Sequence, residues 1–172
     1  MAQPALIPPS MSAAKVSKTN AARILESMGI AFELHTAEVD ESDLSAVTMA
    51  HKLGVDPACV FKTLVARGDK TGVLMACIPA AAELDLKALA VASANKHVEM
   101  VPLKDVRPLT GYIRGGCSPL GAKKAYPVFM DESAILYDYI FVSAGQRGVQ
   151  LRLPPDDLLR AVAGQYAPLA RQ

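Results

Sequence analysis

The sequence predicts an α+β domain in which a mixed, mainly antiparallel sheet curls and helices cover it. Three observations carry this. Segments with helical apolar spacing are interleaved with alternating, β-branched segments, without a regular βαβ repeat. Several strand-like runs are joined by short glycine-containing turns, as in hairpins. The 172 residues, 51% apolar and 20% charged, suffice for one hydrophobic core and show no internal repeat.

The elements follow in order. Residues 1–16 carry Pro4, Pro8 and Pro9 among Ala and Ser, and are expected to form a disordered tail ahead of a single domain spanning 17–172. Residues 17–29 read as a helix, with Ser17 or Thr19 as cap, Ala21, Ile24, Leu25 and Met28 as apolar face, and Gly29 past the end. Residues 30–35 alternate and predict a short strand. Residues 43–53 predict a second helix ended by Gly54, with Leu44 and Val47 on its inner face. A turn at Pro57 leads to a strand over 59–67. The turn 69–72 sends the chain back through 73–78, giving a hairpin. Residues 84–94 form a third helix with Asp85 near its start, and 98–101 a short strand. Residues 110–113 look strand-like, and so do 128–130 and 139–143. The turn 144–148 leads into the clean alternation of 149–153. Pro154-Pro155-Asp156 opens a last helix.

Composition excludes several classes. No apolar run of about 18 residues is present, so no membrane span is expected. Prolines interrupt the apolar residues at the N-terminus and Lys15 comes too late for a secretion signal, which predicts a cytoplasmic protein. The net charge of +1 argues against a strong general binder of nucleic acid, DNA included, while permitting local basic patches and a weak encounter with one RNA end. Cys59, Cys77 and Cys117 form no CxxC pair, and His35, His51 and His97 lie far apart, so neither a disulfide framework nor a metal site is expected.

Three features carry chemistry. On a strand, Lys62 shares its face with Val60 and Leu64. An ammonium so flanked snorkels to solvent, pairs with an anion, or meets a ligand as a fixed charge for a phosphate or developing oxyanion. In Gly115-Gly116-Cys117-Ser118-Pro119-Leu120-Gly121, paired glycines serve either a tight turn or a close backbone approach whose N–H groups hold an oxyanion. Lys123 and Lys124 follow at once, as a solvated turn or as phosphate contacts. Ser143, at a strand end before the turn through Gly145, Arg147 and Gly148, lacks a GxSxG elbow and so is no nucleophile by motif. It serves turn chemistry or holds a substrate group, and Arg147 is either a turn charge or a phosphate contact. No histidine is paired with Cys117 in sequence, which weakens any cysteine-nucleophile reading.

Taken together and in order, six segments resemble the YbaK/EbsC family of aminoacyl-tRNA deacylases, related to the editing domain inserted in bacterial prolyl-tRNA synthetases. They are Ile30-Ala31-Phe32-Glu33-Leu34-His35-Thr36, Val60-Phe61-Lys62-Thr63-Leu64, Glu83-Leu84-Asp85-Leu86-Lys87, Lys96-His97-Val98-Glu99-Met100, Thr110-Gly111-Tyr112 with the double-glycine loop, and Val142-Ser143-Ala144-Gly145-Gln146-Arg147-Gly148. The resemblance implies a barrel-like curled sheet and a metal-free, cofactor-free hydrolysis of wrong amino acids from the 3′ end of tRNA, in the first place cysteine from tRNA(Pro). It implies Lys62 as the key residue, with Gly115 and Gly116 as oxyanion donors. Thr63, His35, Thr36, Ser118, Ser143, Gly145, Arg147 and Gln150 would bind substrate, and prolyl-tRNA synthetase would be a partner. Cysteine-specific relatives often carry Tyr where Ala37 stands and an acidic residue where Gln150 stands. Alanine or serine therefore remain open as the amino acid removed, as does a non-catalytic module that binds an aminoacylated end or a synthetase.

Overall fold

Caps and turns set where each element begins. The structure, a computed structural model, describes residues 18–171; the tail expected over 1–16 and the alternative cap Ser17 lie outside the described residues. Thr19 caps α1 (Asn20–Ser27), its hydroxyl accepting from the Ala22 amide at 3.2 Å. Ala21, Ala22 and Leu25 are buried, whereas Met28, expected on the same face, is 46% exposed. β1 (Glu33–Thr36) starts later than the alternation implied, because its antiparallel ladder with β8 (Val149–Leu153) runs only from Glu33↔Arg152 to Thr36↔Val149. α2 (Ala46–Leu53) starts three residues later than expected, with Ser45 as its cap, and Gly54 closes it in the left-handed region.

The predicted hairpin is β2 (Phe61–Gly68) and β3 (Gly72–Pro79), antiparallel from Phe61↔Pro79 to Gly68↔Gly72. Asn95 fixes its turn, Oδ1 accepting from the amides of Lys70 and Thr71 at 2.9 Å each. After β4 (Glu83–Leu84), the Asp85 carboxylate caps α3 (Leu86–Ala92). β5 (Val98–Met100) returns alongside β2, pairing only with Ala66–Gly68.

Residues 110–113, expected as strand, are not one. α4 (Leu103–Thr110) occupies the preceding stretch and Gly111 caps it at φ +85°. Pro102 just ahead of the helix and Pro108 within it disguise the segment as a loop. Pro102 sits where no helical N–H is needed, and the Thr110 hydroxyl bonds back to the Val106 carbonyl at 2.7 Å. β6 (Val128–Asp131), β8 and α5 (Pro155–Val162) match expectation, while β7 (Ile140–Gln146) runs three residues past the expected 143, through a bulge, into the stretch expected as turn. β9 (Gln165–Ala167) and β10 (Ala170–Arg171) were not foreseen.

Three sheets result, in the orders β5-β2-β3-β6-β9, β1-β8-β7 and β10-β4. β3–β6 and β6–β9 are parallel and the other strand pairs antiparallel, so the fold is α+β with a mixed, mainly antiparallel sheet. A bridge between Val60 and Phe141 stitches the five-stranded sheet to the three-stranded one. The sheet thus curls without closing into a barrel. The main core, including Leu25, Phe61, Met75, Met130, Ile140, Leu151 and Leu158, fills the inside of this curl. Alternation along β3 sends Leu74, Ala76 and Ile78 to the other face, where they meet Leu89 and Leu169.

Candidate functional site

On β7 and β8, residues Ile140, Val142, Ala144, Val149, Leu151 and Leu153 enter the main core. Strand alternation therefore turns Phe141, Ser143, Gln150 and Arg152 to the opposite face. Cross-strand register sets His35 beside Gln150, and Gln150 beside Ser143. This polar row ends at the seam with β2. Because β5 leaves β2 after Ala66, the edge of β2 over Lys62–Leu64 borders open space rather than another strand.

That space is a cavity of about 370 Å³, at the small end of ligand pockets. Lys62, Thr63, Gly115, Ser143 and Gln150, five of the residues singled out in sequence, line it together. Its apolar wall comes from Leu44 and Met49 beside α2 and from Met100, Leu103 and Val106 beside α4. Nothing in the sequence marks this wall: Leu44 reads as the inner face of a helix, Met100 as part of a short strand, and 102–109 as no element.

The Lys62 ammonium donates to the Ala80 carbonyl at 3.0 Å and has no carboxylate within 4 Å among the described residues. Burial holds its pKa below the ordinary lysine value, with Glu83 opposing weakly. A cation bound only to a neutral carbonyl keeps most of its charge available to a ligand. Gln150 is 6% exposed, and its side-chain carbonyl oxygen has no hydrogen-bond partner. The Ser143 hydroxyl accepts from the Gly145 amide at 3.1 Å.

The double-glycine loop is tied on every side. Tyr112 donates through its hydroxyl to the Leu120 carbonyl, Arg147 Nε donates to the Arg114 carbonyl at 2.8 Å, and Ser118, fully buried, accepts from the Leu120 amide at 3.2 Å. Gly115 takes φ +84°, and a Cβ there would meet the Leu44 side chain at 3.3 Å. Its amide has no acceptor among the described residues, nor has that of Cys117, and both residues line the cavity. The Gly116 amide, expected as a second oxyanion donor, instead donates to the Ile113 carbonyl at 2.9 Å. Burial pushes the Cys117 thiol up to about 12, which leaves it protonated and a poor nucleophile at neutral pH.

Five other expected contacts lie outside the cavity wall. His35 is two strands from Ser143, bonded to Glu33 at 3.0 Å and edge-on to Phe141. Thr36 pairs with Val149 on the same edge strand. Ser118 serves the loop's interior. Gly145, φ +96°, leaves room for the Tyr112 ring, which a Cβ there would meet at 2.8 Å. Arg147 clamps the loop and reaches toward Glu41 at 3.9 Å.

An open-edged strand bearing a half-buried cation, facing an immobilised glycine loop with free amides, defines a pocket protein for a small electrophilic or anionic group. Comparison with known proteins gives the class. The family model for the aminoacyl-tRNA editing domain matches residues 40–161, and the chain belongs to that family. It is 48% identical over 152 residues to a candidate Cys-tRNA(Pro)/Cys-tRNA(Cys) deacylase, EbsC of Enterococcus faecalis, covering 88% of this chain and 93% of that protein. The crystal structure of a candidate trans-editing enzyme for prolyl tRNA synthetase superposes with TM-score 0.77 at 25% identity, covering 91% of this chain and all of the other. The crystal structure of hypothetical protein APE2540 superposes with TM-score 0.79 at 20% identity, covering 87% and 97%, and so shares the fold.

Proposed function

We propose that the protein is a free-standing aminoacyl-tRNA deacylase that removes a wrongly attached small amino acid from tRNA. Cysteine on tRNA(Pro) is the first substrate, with alanine and serine as the alternatives. One observation supports this above the rest: Lys62, Gly115, Ser143 and Gln150 come from three distant stretches of chain and line one cavity. The 48% identity to EbsC supports the same chemistry, and its name supports the choice of cysteine.

An aminoacyl ester is already activated, so positioning and charge stabilisation suffice. In this reading the terminal ribose and amino acid enter the cavity, and Lys62 holds the terminal phosphate or the reacting group. As the carbonyl carbon is attacked, negative charge grows on its oxygen, and the free amides of Gly115 and Cys117 receive it. The attacking atom is a bound water oxygen or the substrate's own sulfur. In either case the new bond to carbon replaces the ester C–O bond, and the attacker's proton leaves with the ribose hydroxyl. Cys117 takes no part as nucleophile. Prolyl-tRNA synthetase, in the cytoplasm, is the proposed partner that supplies charged tRNA.

The test charges tRNA(Pro) separately with cysteine, alanine and serine and follows loss of the ester. Lys62→Ala is expected to lower kcat/KM by about 10²–10³-fold, the range for removal of one preorganised charge-stabilising group. Cleavage untouched by Lys62→Ala would displace the site. Binding of all three without cleavage would make the protein a recognition module.

A further inference from the structure

Resting on the deacylase reading, we infer that α4 and the double-glycine loop form the surface that receives the phosphates of the tRNA acceptor arm. Between residues 102 and 127 the chain carries five cations, Lys104, Arg107, Arg114, Lys123 and Lys124, and one carboxylate, Asp105. The chain as a whole has a net charge of only +1. All five cations are exposed, and none has a carboxylate within 4 Å among the described residues. Elsewhere Lys18, Arg147, Arg152, Arg160 and Arg171 each face one, while Arg23, Lys52, Lys62, Arg67, Lys70, Lys87 and Lys96 do not, so what sets the patch apart is the density of cations against a single carboxylate.

Arg114 lines the cavity, and the other four lie on α4 or on the stretch bonded to its end. Leu103, Val106 and Arg114 line the cavity itself, so Lys104 and Arg107 flank its wall on α4. Lys123 is bound to the end of that helix, its amide donating to the Thr110 carbonyl at 3.1 Å and its ammonium to the Pro108 carbonyl at 3.3 Å. Lys124 follows it. The segment leading into α2, which also reaches the cavity through Leu44, has the opposite sign, with Glu38, Asp40, Glu41 and Asp43. A polyanion whose last nucleotide enters the cavity is therefore drawn across α4 and turned away from the acidic segment. Phosphate contacts of this kind set orientation without reading sequence, which suits an enzyme that meets one end of an RNA and lets go.

The test uses the full chain with K104A, R107A and K124A combined, three exposed side chains that do not line the cavity. Two substrates are compared: cysteinyl-tRNA(Pro), and 3′-O-cysteinyl-adenosine, which has no phosphates. Binding of uncharged tRNA is measured alongside. On tRNA, KM and the tRNA dissociation constant are expected to rise roughly tenfold or more at about 0.1 M salt. The slope of log affinity on log salt should become shallower by about one per phosphate contact removed. Turnover of the adenosine ester is expected to match the parent protein. E38Q/E41Q is expected to tighten tRNA binding. Unchanged tRNA affinity and salt slope would overturn the inference, as would an equal loss on both substrates. A loss seen only with a synthetase present would give the patch to a protein partner and overturn it too. A parent protein that binds tRNA but cleaves neither substrate would sink the deacylase reading, while the binding data would still decide the patch.

Discussion

At the scale of single residues, Gln150 is the side chain whose chemistry folding alone does not explain. Its carbonyl oxygen is out of water and unpaired, a state that costs about 1–3 kcal/mol. A cavity-facing position kept polar at that cost implies a partner that arrives with the ligand. The substrate's α-ammonium or a ribose hydroxyl is a donor of the right kind. Gln150→Leu, close in volume, is expected to raise stability by about 1 kcal/mol while raising KM for the aminoacyl ester by tenfold or more. Urea denaturation and steady-state kinetics read the two effects separately. A variant both less stable and fully active would show that the carbonyl serves the fold. This site was legible in sequence only where chemistry marks it. Lys62 on an apolar strand face and Gly115 in a paired-glycine loop announce themselves. The commitment of the Gly116 amide to Ile113 does not, since it depends on how the turn closes. His35 shares a strand face with Gln150 but lies one strand further from the seam, and about 4.8 Å per strand is enough to remove it from the cavity.

At the scale of elements, the C-terminal strands matter to the site although they never touch it. Asp131, 5% exposed at the end of β6, accepts through one oxygen from the amides of Leu169 and Ala170, at 2.9 Å each, and through the other from Ser133 at 3.2 Å. This holds β10 against β4, and the turn between β3 and β4 carries the Ala80 carbonyl that anchors Lys62. Burial pushes the Asp131 pKa up, yet the hydrogen bonds together hold it below the ordinary value. A carboxylate with a depressed folded pKa stabilises the fold fully above its unfolded pKa of about 3.9, and that contribution is lost as pH falls through the folded value. Asp131→Ala is expected to cost about 2–4 kcal/mol at pH 7, since buried amides lose their acceptor. Asp131→Asn, which keeps one acceptor oxygen, is expected to cost less and to flatten the acid limb of stability. Urea midpoints at pH 7 and at about pH 2, below the unfolded pKa of about 3.9, test both. A steep acid limb retained in the Asn variant would assign it to another carboxylate. None of this was visible beforehand. β9 and β10 are three and two residues long, too short for any periodicity, and exist because β6 and β4 offer edges. α4 was hidden for the opposite reason, its prolines outweighing a helical pattern that the cavity wall rewards. The β2–β3 and β7–β8 hairpins were legible because alternation and turn residues agreed over long runs.

At the scale of the whole molecule, the cavity sits where two sheets meet through the Val60–Phe141 bridge. Lys62 and Thr63 belong to the five-stranded sheet, Ser143 and Gln150 to the three-stranded one, and the apolar wall to segments at α2 and α4. A ligand filling the cavity therefore ties together parts of the fold that β-ladders join only weakly, and its binding free energy adds to global stability. At about 100 times its dissociation constant a ligand adds about 2.7 kcal/mol. For a chain of this length that is roughly 5–10 °C in Tm, at about 2–4 °C per kcal/mol. An adenosine carrying cysteine through a 3′-amide, which cannot be hydrolysed by the same route, is expected to give such a rise. Hydrogen exchange should slow in both β2 and β7–β8. Lys62→Ala should abolish most of the rise, measured from the variant's own free Tm, because the Ala80 carbonyl also loses its donor in the free protein. Protection confined to a single sheet would mean that the nucleoside lies on the surface and that the seam is not where the ester is held.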